Sequence, residues 1–280
     1  MKRGQYSGAA PGGKFGESAI PLILIAILAI FLAGRFGIVD FSGVPVLNSI
    51  FPSPKITVGV VGRSSYDMRA LLESEDYRVT GVYFAGDIDQ KVIYPGVLNN
   101  FDVIILQGES TCDRTARKVI ADRVKAGGKL IVVGDACTRV SDDRAAYGWD
   151  IGIGSLGDVV PVVGGGVTKE LEMLQTNAVR GKFKVVAVNH PVFNGVKNFG
   201  FDSEITAITV PKPNAEILAY IDASSIGKVT APSLFAIVES KGLFSGKTIY
   251  FAFDPATVAA QGTGRNMFLN TLLYLRGAKG

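Results

Sequence analysis

The sequence predicts an α/β domain built on a largely parallel sheet and preceded by one transmembrane helix. Three observations predict it. The stretch Ser18–Gly34 contains no charged residue. Beyond Pro54, short aliphatic runs alternate with segments of helical periodicity. Within Asp102–Gln107 the apolar residues stand at consecutive positions, as in a strand covered on both faces.

Residues 1–17 form a tail in which Lys2, Arg3 and Lys14 outnumber Glu17, with several glycines between them. Residues 18–35 follow as the expected membrane helix. As a helix the uncharged stretch rises about 26 Å, close to the ~30 Å hydrocarbon core of a bilayer. Ser18 is placed to cap it, and Pro21 falls in the first turn, where a missing N–H costs little. Arg35 is the only nearby cation on the far side, and Asp40 offsets it. The positive-inside rule then leaves the tail in the cytoplasm and the C-terminal domain outside the cell membrane, on a single-pass anchor. A cleaved signal peptide and a buried helix are the alternatives. Against the first, the apolar core and the tail are long and no A-x-A site precedes Arg35. Ala26, Ala29 and Ala33 lie near one face, a spacing that permits close helix packing and hence a homo-oligomer. Residues 36–54 are apolar but broken by Gly43, Pro45, Pro52 and Pro54. They read as an interfacial or partner-contacting stalk, or as a linker packed on the domain.

Residues 55–280 make the folded domain, about 225 residues and enough for one ample core. Lys55–Val61 is the first expected strand, followed by a helix near Ser65–Ser74 and a second strand at Tyr77–Phe84. Asp102–Gln107 is a short buried strand. A helix over Asp113–Ala126 puts Ala116, Val119, Ile120 and Val124 on one face and ends at Gly127-Gly128. Lys129–Val133 is the next strand. This alternation predicts parallel pairing with right-handed crossovers. Thr138–Lys169 is a long glycine-rich segment with the chain's one tryptophan, Trp149, and such loops usually serve function or partner binding. Lys182–Val188, Ile205–Val210, Glu216–Ile221, Ser233–Val238 and Lys247–Phe253 are further strands, and Thr263–Leu275 is a closing helix.

Composition excludes several classes of function. The formal charge of +4 is spread among acids with no basic run, so no nucleic-acid partner is expected. One histidine and two cysteines are too few for a zinc site or a disulfide scaffold. The glycines Gly164-Gly165-Gly166 are not followed by the Lys-Ser/Thr of a phosphate loop. Val61-Gly62-Arg63-Ser64-Ser65 lacks a dinucleotide fingerprint and offers backbone and hydroxyl donors to an anion. No cofactor and no metal are expected.

Motifs in order resemble a known family. FDVIIL (Phe101–Leu106) and, after a helix, KAGGKLIVVGD (Lys125–Asp135) resemble the first half of class I glutamine-amidotransferase-like domains, including the ThuA-like branch. SLGDVVPV (Ser155–Val162), NHPVFNGV (Asn189–Val196), GKTIYFAFDP (Gly246–Pro255) and NMFLNTLLYL (Asn266–Leu275) resemble later segments of the same proteins. The resemblance covers roughly residues 55–278 and implies a flavodoxin-like three-layer sandwich. Related domains also serve as non-catalytic modules of membrane-associated accessory proteins. Active members use a cysteine on a tight strand-to-helix turn, a histidine and a glutamate, because the thiolate needs a proton acceptor and the imidazole an orienting carboxylate. Here Val133–Thr138 lacks G-x-C-x-G, and His190 is followed by Pro191 and Val192 rather than by a glutamate. Loss of catalysis is therefore expected, with a Cys137–His190 pair as the alternative.

Cys112 and Cys137 follow adjacent expected strands, whose ends emerge at the same carboxyl edge of a parallel sheet. They can meet as a disulfide, closing a loop of about 25 residues, if the domain lies in an oxidising compartment. Two independent thiols are the alternative. Gln107, Glu109, Asp135 and Asp254 share that edge and are the candidate ligand-binding residues. The wider set of edge carboxylates, including Asp113, Asp142 and Asp143, suits a divalent cation or, more simply, helix capping and loop solvation. The expected function is a membrane-anchored, extracytoplasmic, non-catalytic module. Its expected partners are the lipid bilayer, a protein or a second copy of the chain, and a glycan or surface polymer. The competing reading is a membrane-tethered hydrolase of amides or carbohydrates using Cys137, His190 or the edge carboxylates.

Overall fold

The computed structural model describes Pro21 and residues 24–30, 55–108, 110–152, 155–163, 177–205, 209–226, 233–241, 246–259 and 263–277. The chain divides into two units, Met1–Pro54 and Lys55–Gly280. In the first, Pro21 and Leu24–Ile30 are helical, and Leu24, Ile25, Ile27, Leu28 and Ile30 are exposed. Among the described residues no helix is long and apolar enough to cross a membrane. The rest of the expected span at 18–35, the tail 1–17 and the stalk 36–54 lie outside the described residues.

The second unit is an α/β sandwich around a nine-stranded sheet. Its first half contains β1 (Ile56–Val61), α1 (Tyr66–Leu72), α2 (Glu75–Val79), β2 (Val82–Ile88), α3 (Pro95–Leu98), β3 (Val103–Leu106), α4 (Arg114–Lys125) and β4 (Lys129–Val133). Then come β5 (Arg139–Val140), β6 (Asp143–Tyr147), β7 (Val162–Val163), β8 (Asn177–Val185), β9 (Phe199–Ile205), β10 (Val210–Pro211), β11 (Ala215–Ile226), β12 (Ser233–Ser240) and β13 (Lys247–Phe251). Helices α5 (Pro255–Ala259) and α6 (Thr263–Gly277) close the chain.

The strand order is β2-β1-β3-β4-β13-β12-β11-β8-β9. From β2 to β13 every pairing is parallel. From β13 to β9 every pairing is antiparallel. The expected parallel sheet thus holds for one half. In the other half β11, β12 and β13 follow one another through short connections, which allow antiparallel return but not a crossover.

The strand side chains alternate between two cores. Ile56, Val58, Val103, Ile105, Ile131 and Ile249 pack in one, and Val61, Ile104, Leu106, Leu130, Val132 and Tyr250 in the other. Both faces are buried, which is why the strands read as unbroken apolar runs. Met68, Leu72, Tyr77, Phe268 and Leu272 bring α1, α2 and α6 onto the first face. Ala116, Ile120 and Val124 bring α4 onto the second. Asp113 caps α4, its Oδ1 accepting the Ala116 N–H at 2.6 Å.

Three expectations change. The expected strand Ile205–Val210 gives way to β9, which ends at Ile205, and β10, which begins at Val210, with 206–208 outside the described residues. Tyr77–Val79 is helical, and β2 starts only at Val82. Tyr77 buries its ring in the first core, where its hydroxyl donates to the Arg265 carbonyl at 3.1 Å. Gly81, at φ +86°, then makes the turn that a side chain would resist. Trp149 is fully buried rather than displayed on a loop. Its Nε1 donates to the Ala136 carbonyl at 2.9 Å, and its ring meets Tyr250 edge-on. It anchors the segment after β4 to the core and offers no aromatic surface to a partner.

Candidate functional site

Helical crossovers leave β1 toward β2 on one side and β3 toward β4 on the other. The chain therefore switches direction between β1 and β3, and open α/β sheets bind ligands in the crevice at such a point. The structure has a cleft of about 720 Å³ there, lined by the loops after β1 and β3, by Gln90 beyond β2 and by Asp254 beyond β13. That volume is in the range of small-molecule sites.

Its floor is a closed polar network. Gln107 Nε2 donates to Asp254 Oδ2 at 2.6 Å and to Ser65 Oγ at 2.9 Å. The Ser65 N–H donates back to Gln107 Oε1 at 3.2 Å, and Ser65 Oγ donates to Asp254 Oδ2 at 3.4 Å. Ser65 Oγ also caps α1 by accepting the Met68 N–H, and Asp254 Oδ1 accepts the Ala256 N–H. Three strand ends are thus pinned to one another. Burial raises the Asp254 carboxyl above its ordinary range, against the hydrogen bonds from Ala256, Gln107 and Ser65 that favour the charged form.

One wall is built on Arg69. Its Nη2 pairs with Asp87 Oδ2 at 2.6 Å, and its Nε donates to Ser64 Oγ at 3.4 Å. Asp87 Oδ1 also accepts the Ser64 N–H at 3.1 Å. Arg63 stands exposed on the same lip, and Tyr66 at the rim is 86% exposed. Gly62, just before the cleft, takes φ +85°, a conformation that side chains rarely adopt, and a Cβ there would come within 2.6 Å of Gln90 Nε2.

Of the residues expected at this edge, Gln107 and Asp254 meet in the cleft. Asp135 follows β4 and is not part of the lining. Glu109 lies outside the described residues. Sequence reading missed Arg69 and Gln90. The only local sign for Arg69 was its position one helical turn beyond Ser65.

Cys112 and Cys137 form a disulfide with their Cα atoms 5.1 Å apart, and both are fully buried. Cys137, at φ +56°, is the only non-glycine among the described residues in the left-handed region. Its N–H donates to the Ser110 carbonyl at 2.7 Å, and Ser110 Oγ sits 3.5 Å from its sulfur. The bond therefore braces the loop that lines the cleft.

His190 lies at the other end of the sheet. Its Nε2 is 3.0 Å from Glu239 Oε2. Glu239 is the last residue but one of β12, which runs antiparallel to β13, and Lys247 opens β13. Tyr274 on α6 donates to Glu239 Oε1 at 2.9 Å, and Lys247 Nζ, 3.4 Å from that oxygen, also bonds Tyr274. This is the amino edge of the parallel strands, so His190 and Cys137 do not form a pair. Burial alone would raise the Glu239 carboxyl, but His190, Lys247 and Tyr274 hold it below its ordinary range. Among the described residues no group of three or more His, Cys, Asp or Glu is placed to hold a metal ion.

No protein-family model and no curated protein matches the sequence. Solved structures do match in shape. A ThuA-like protein from Bacteroides uniformis aligns with a TM-score of 0.58 at 13% identity, over 80% of this chain and 92% of that one. A ThuA-like protein from Parabacteroides merdae gives 0.52 at 11%, over 81% and 92%. The N-terminal domain of mmIFT52 gives 0.50 at 10%, over 81% and 100%. At these identities the likeness establishes the fold and nothing of the chemistry: the described residues of the second unit share the α/β fold of the ThuA-like structures.

Proposed function

We propose that the chain is a membrane-anchored, extracytoplasmic binding module whose switch-point cleft takes a polar ligand, such as part of a glycan or surface polymer. The observation that carries this reading is the separation of the two ends of the sheet. The cleft is open and lined by hydrogen-bonding side chains, whereas Cys137 is bonded to Cys112 and His190 is sealed against Glu239 at the opposite edge. A thiol held in a disulfide is no nucleophile, and a histidine across the sheet cannot take its proton. The anchor rests on the uncharged stretch Ser18–Gly34 and its flanking charges. An intact disulfide fits an oxidising compartment. A protein partner or second copy would dock through the stalk or the span.

The test is binding of the detergent-extracted full chain to a panel of immobilised neutral and acidic oligosaccharides. The expected result is retention on at least one member, abolished by Gln90→Trp, which fills the cleft. Retention unchanged by that substitution, or no retention at all, contradicts the reading.

One observation favours a hydrolase instead: Asp254, a carboxyl pushed up by burial, lies in the cleft beside Ser65. Glycoside hydrolysis ordinarily needs two carboxylates flanking the bond, and Asp254 is the one carboxylate among the described lining residues. Amidase or glycosidase turnover that disappears in Asp254→Asn would favour this reading.

A further inference from the structure

The hydrogen-bonding groups left over in the cleft are mostly donors. Gln107 spends both amide protons on Ser65 and Asp254, and its oxygen on the Ser65 N–H. Asp254 has both oxygens engaged, and Asp87 has both engaged by Arg69 and Ser64. The carboxylates of Asp254 and Asp87 are therefore already engaged within the protein, and Asp254 is the one carboxylate among the described lining residues. On the donor side, Arg63 has no ion pair among the described residues. Arg69 is held in place by Asp87 and Ser64 while keeping guanidinium N–H groups unspent. Gln90 Oε1 accepts from Thr111 at 3.3 Å, leaving its amide protons beside Gly62.

A site whose unspent groups are mainly donors selects a ligand rich in acceptors. Arginine is the side chain best matched to an oxyanion, because its planar fork meets two oxygens at once. Arg69 needs little further ordering, since its partners already fix it. We propose that this cleft recognises an oxyanion group, a phosphate ester or a carboxylate on a small polar molecule, through Arg63 and Arg69. The inference rests on the reading of the cleft as a binding site and names the chemistry that the site selects.

The experiment is titration calorimetry of the detergent-solubilised full chain at fixed ionic strength with four probes: inorganic phosphate, glucose 6-phosphate, glucuronate and glucose. The expected result is binding of at least one charged probe and none of glucose. Preference for glucose 6-phosphate or glucuronate identifies the anion as phosphate or carboxylate. Arg63→Gln, at an exposed position with no ion pair among the described residues, is expected to weaken binding by about tenfold or more, and Arg63→Lys to restore part of it. Arg69→Gln should act in the same direction, with thermal unfolding run alongside to confirm that it is folded. Glucose binding as tightly as its charged forms, with Arg63→Gln unchanged, overturns the oxyanion and leaves the binding reading standing. No binding of any probe also overturns the oxyanion, and the oligosaccharide panel then decides the binding reading separately.

Discussion

The two ends of the sheet carry polar clusters of opposite design. At the amino edge His190, Glu239, Tyr274 and Lys247 satisfy one another, with the His190 and Glu239 side chains 11% and 5% exposed. At the carboxyl edge Ser65, Gln107 and Asp254 also satisfy one another, but they form the floor of an open cleft whose arginines remain available. The first arrangement cements α6 and the segment after β8 to the sheet. The second holds three strand ends in a fixed geometry at the floor of an open cavity. A histidine beside a carboxylate is thus no sign of function by itself. What marks a site is donor capacity left unspent in front of a cavity.

Breaking each cluster should have different consequences. The largest effect is expected from Glu239→Ala. Removing the shared acceptor leaves His190, Lys247 and Tyr274 without a counter-group in a largely buried place, at a cost of about 3–5 kcal/mol. Urea unfolding measures it, and the cleft's affinity for its ligand should not change in the folded fraction. Next comes the disulfide. Cys112→Ala with Cys137→Ala should cost about 3 kcal/mol by loop-closure entropy. The double variant should also weaken ligand binding, because Ser110 loses the brace beneath it. Smaller still, Trp149→Phe removes the hydrogen bond to Ala136 and some buried volume, for about 1–2 kcal/mol.

The smallest effects are read by sign. The Glu239 carboxyl is held down in the folded chain. Its contribution is present above the ordinary carboxylate value and is lost as pH falls through the folded value. The Asp254 carboxyl is held up. The folded chain keeps that proton longer than the unfolded one, so stability falls as pH rises from the ordinary aspartate value through the folded value. Unfolding free energies measured from about pH 3 to pH 7 should therefore lose part of their acid-side decline in Glu239→Gln. In Asp254→Asn they should lose part of their fall with rising pH. Matching slopes in the two variants would erase the contrast between the two edges.

How much of this was legible followed from how local each cause is. Strands β1, β3, β4 and β13 stood out because burial on both faces leaves unbroken apolar runs. Helix α4 stood out because Asp113 and Gly127 mark its ends. The disulfide followed from topology, since two strands joined by one crossover bring their carboxyl ends together. Tyr77 misled because an aromatic before an aliphatic run fits a strand as well as a buried helical turn, and only the contact with Arg265 decides. Trp149 misled because its partner, the Ala136 carbonyl, leaves no mark in the sequence. The antiparallel half depended on connection lengths rather than on side chains. Glu239 lies 49 positions beyond His190, and Asp254 lies 147 beyond Gln107, so neither cluster has a local signature.

The most direct test of the account is amide hydrogen exchange on the full chain in detergent, with and without the tightest-binding member of the oligosaccharide panel. The account predicts that bound ligand slows exchange in the loops Gly62–Tyr66 and Gln107–Ser110 and leaves Asn189–Val196 unchanged. Slowing confined to Asn189–Val196, or absent from both cleft loops, would contradict it.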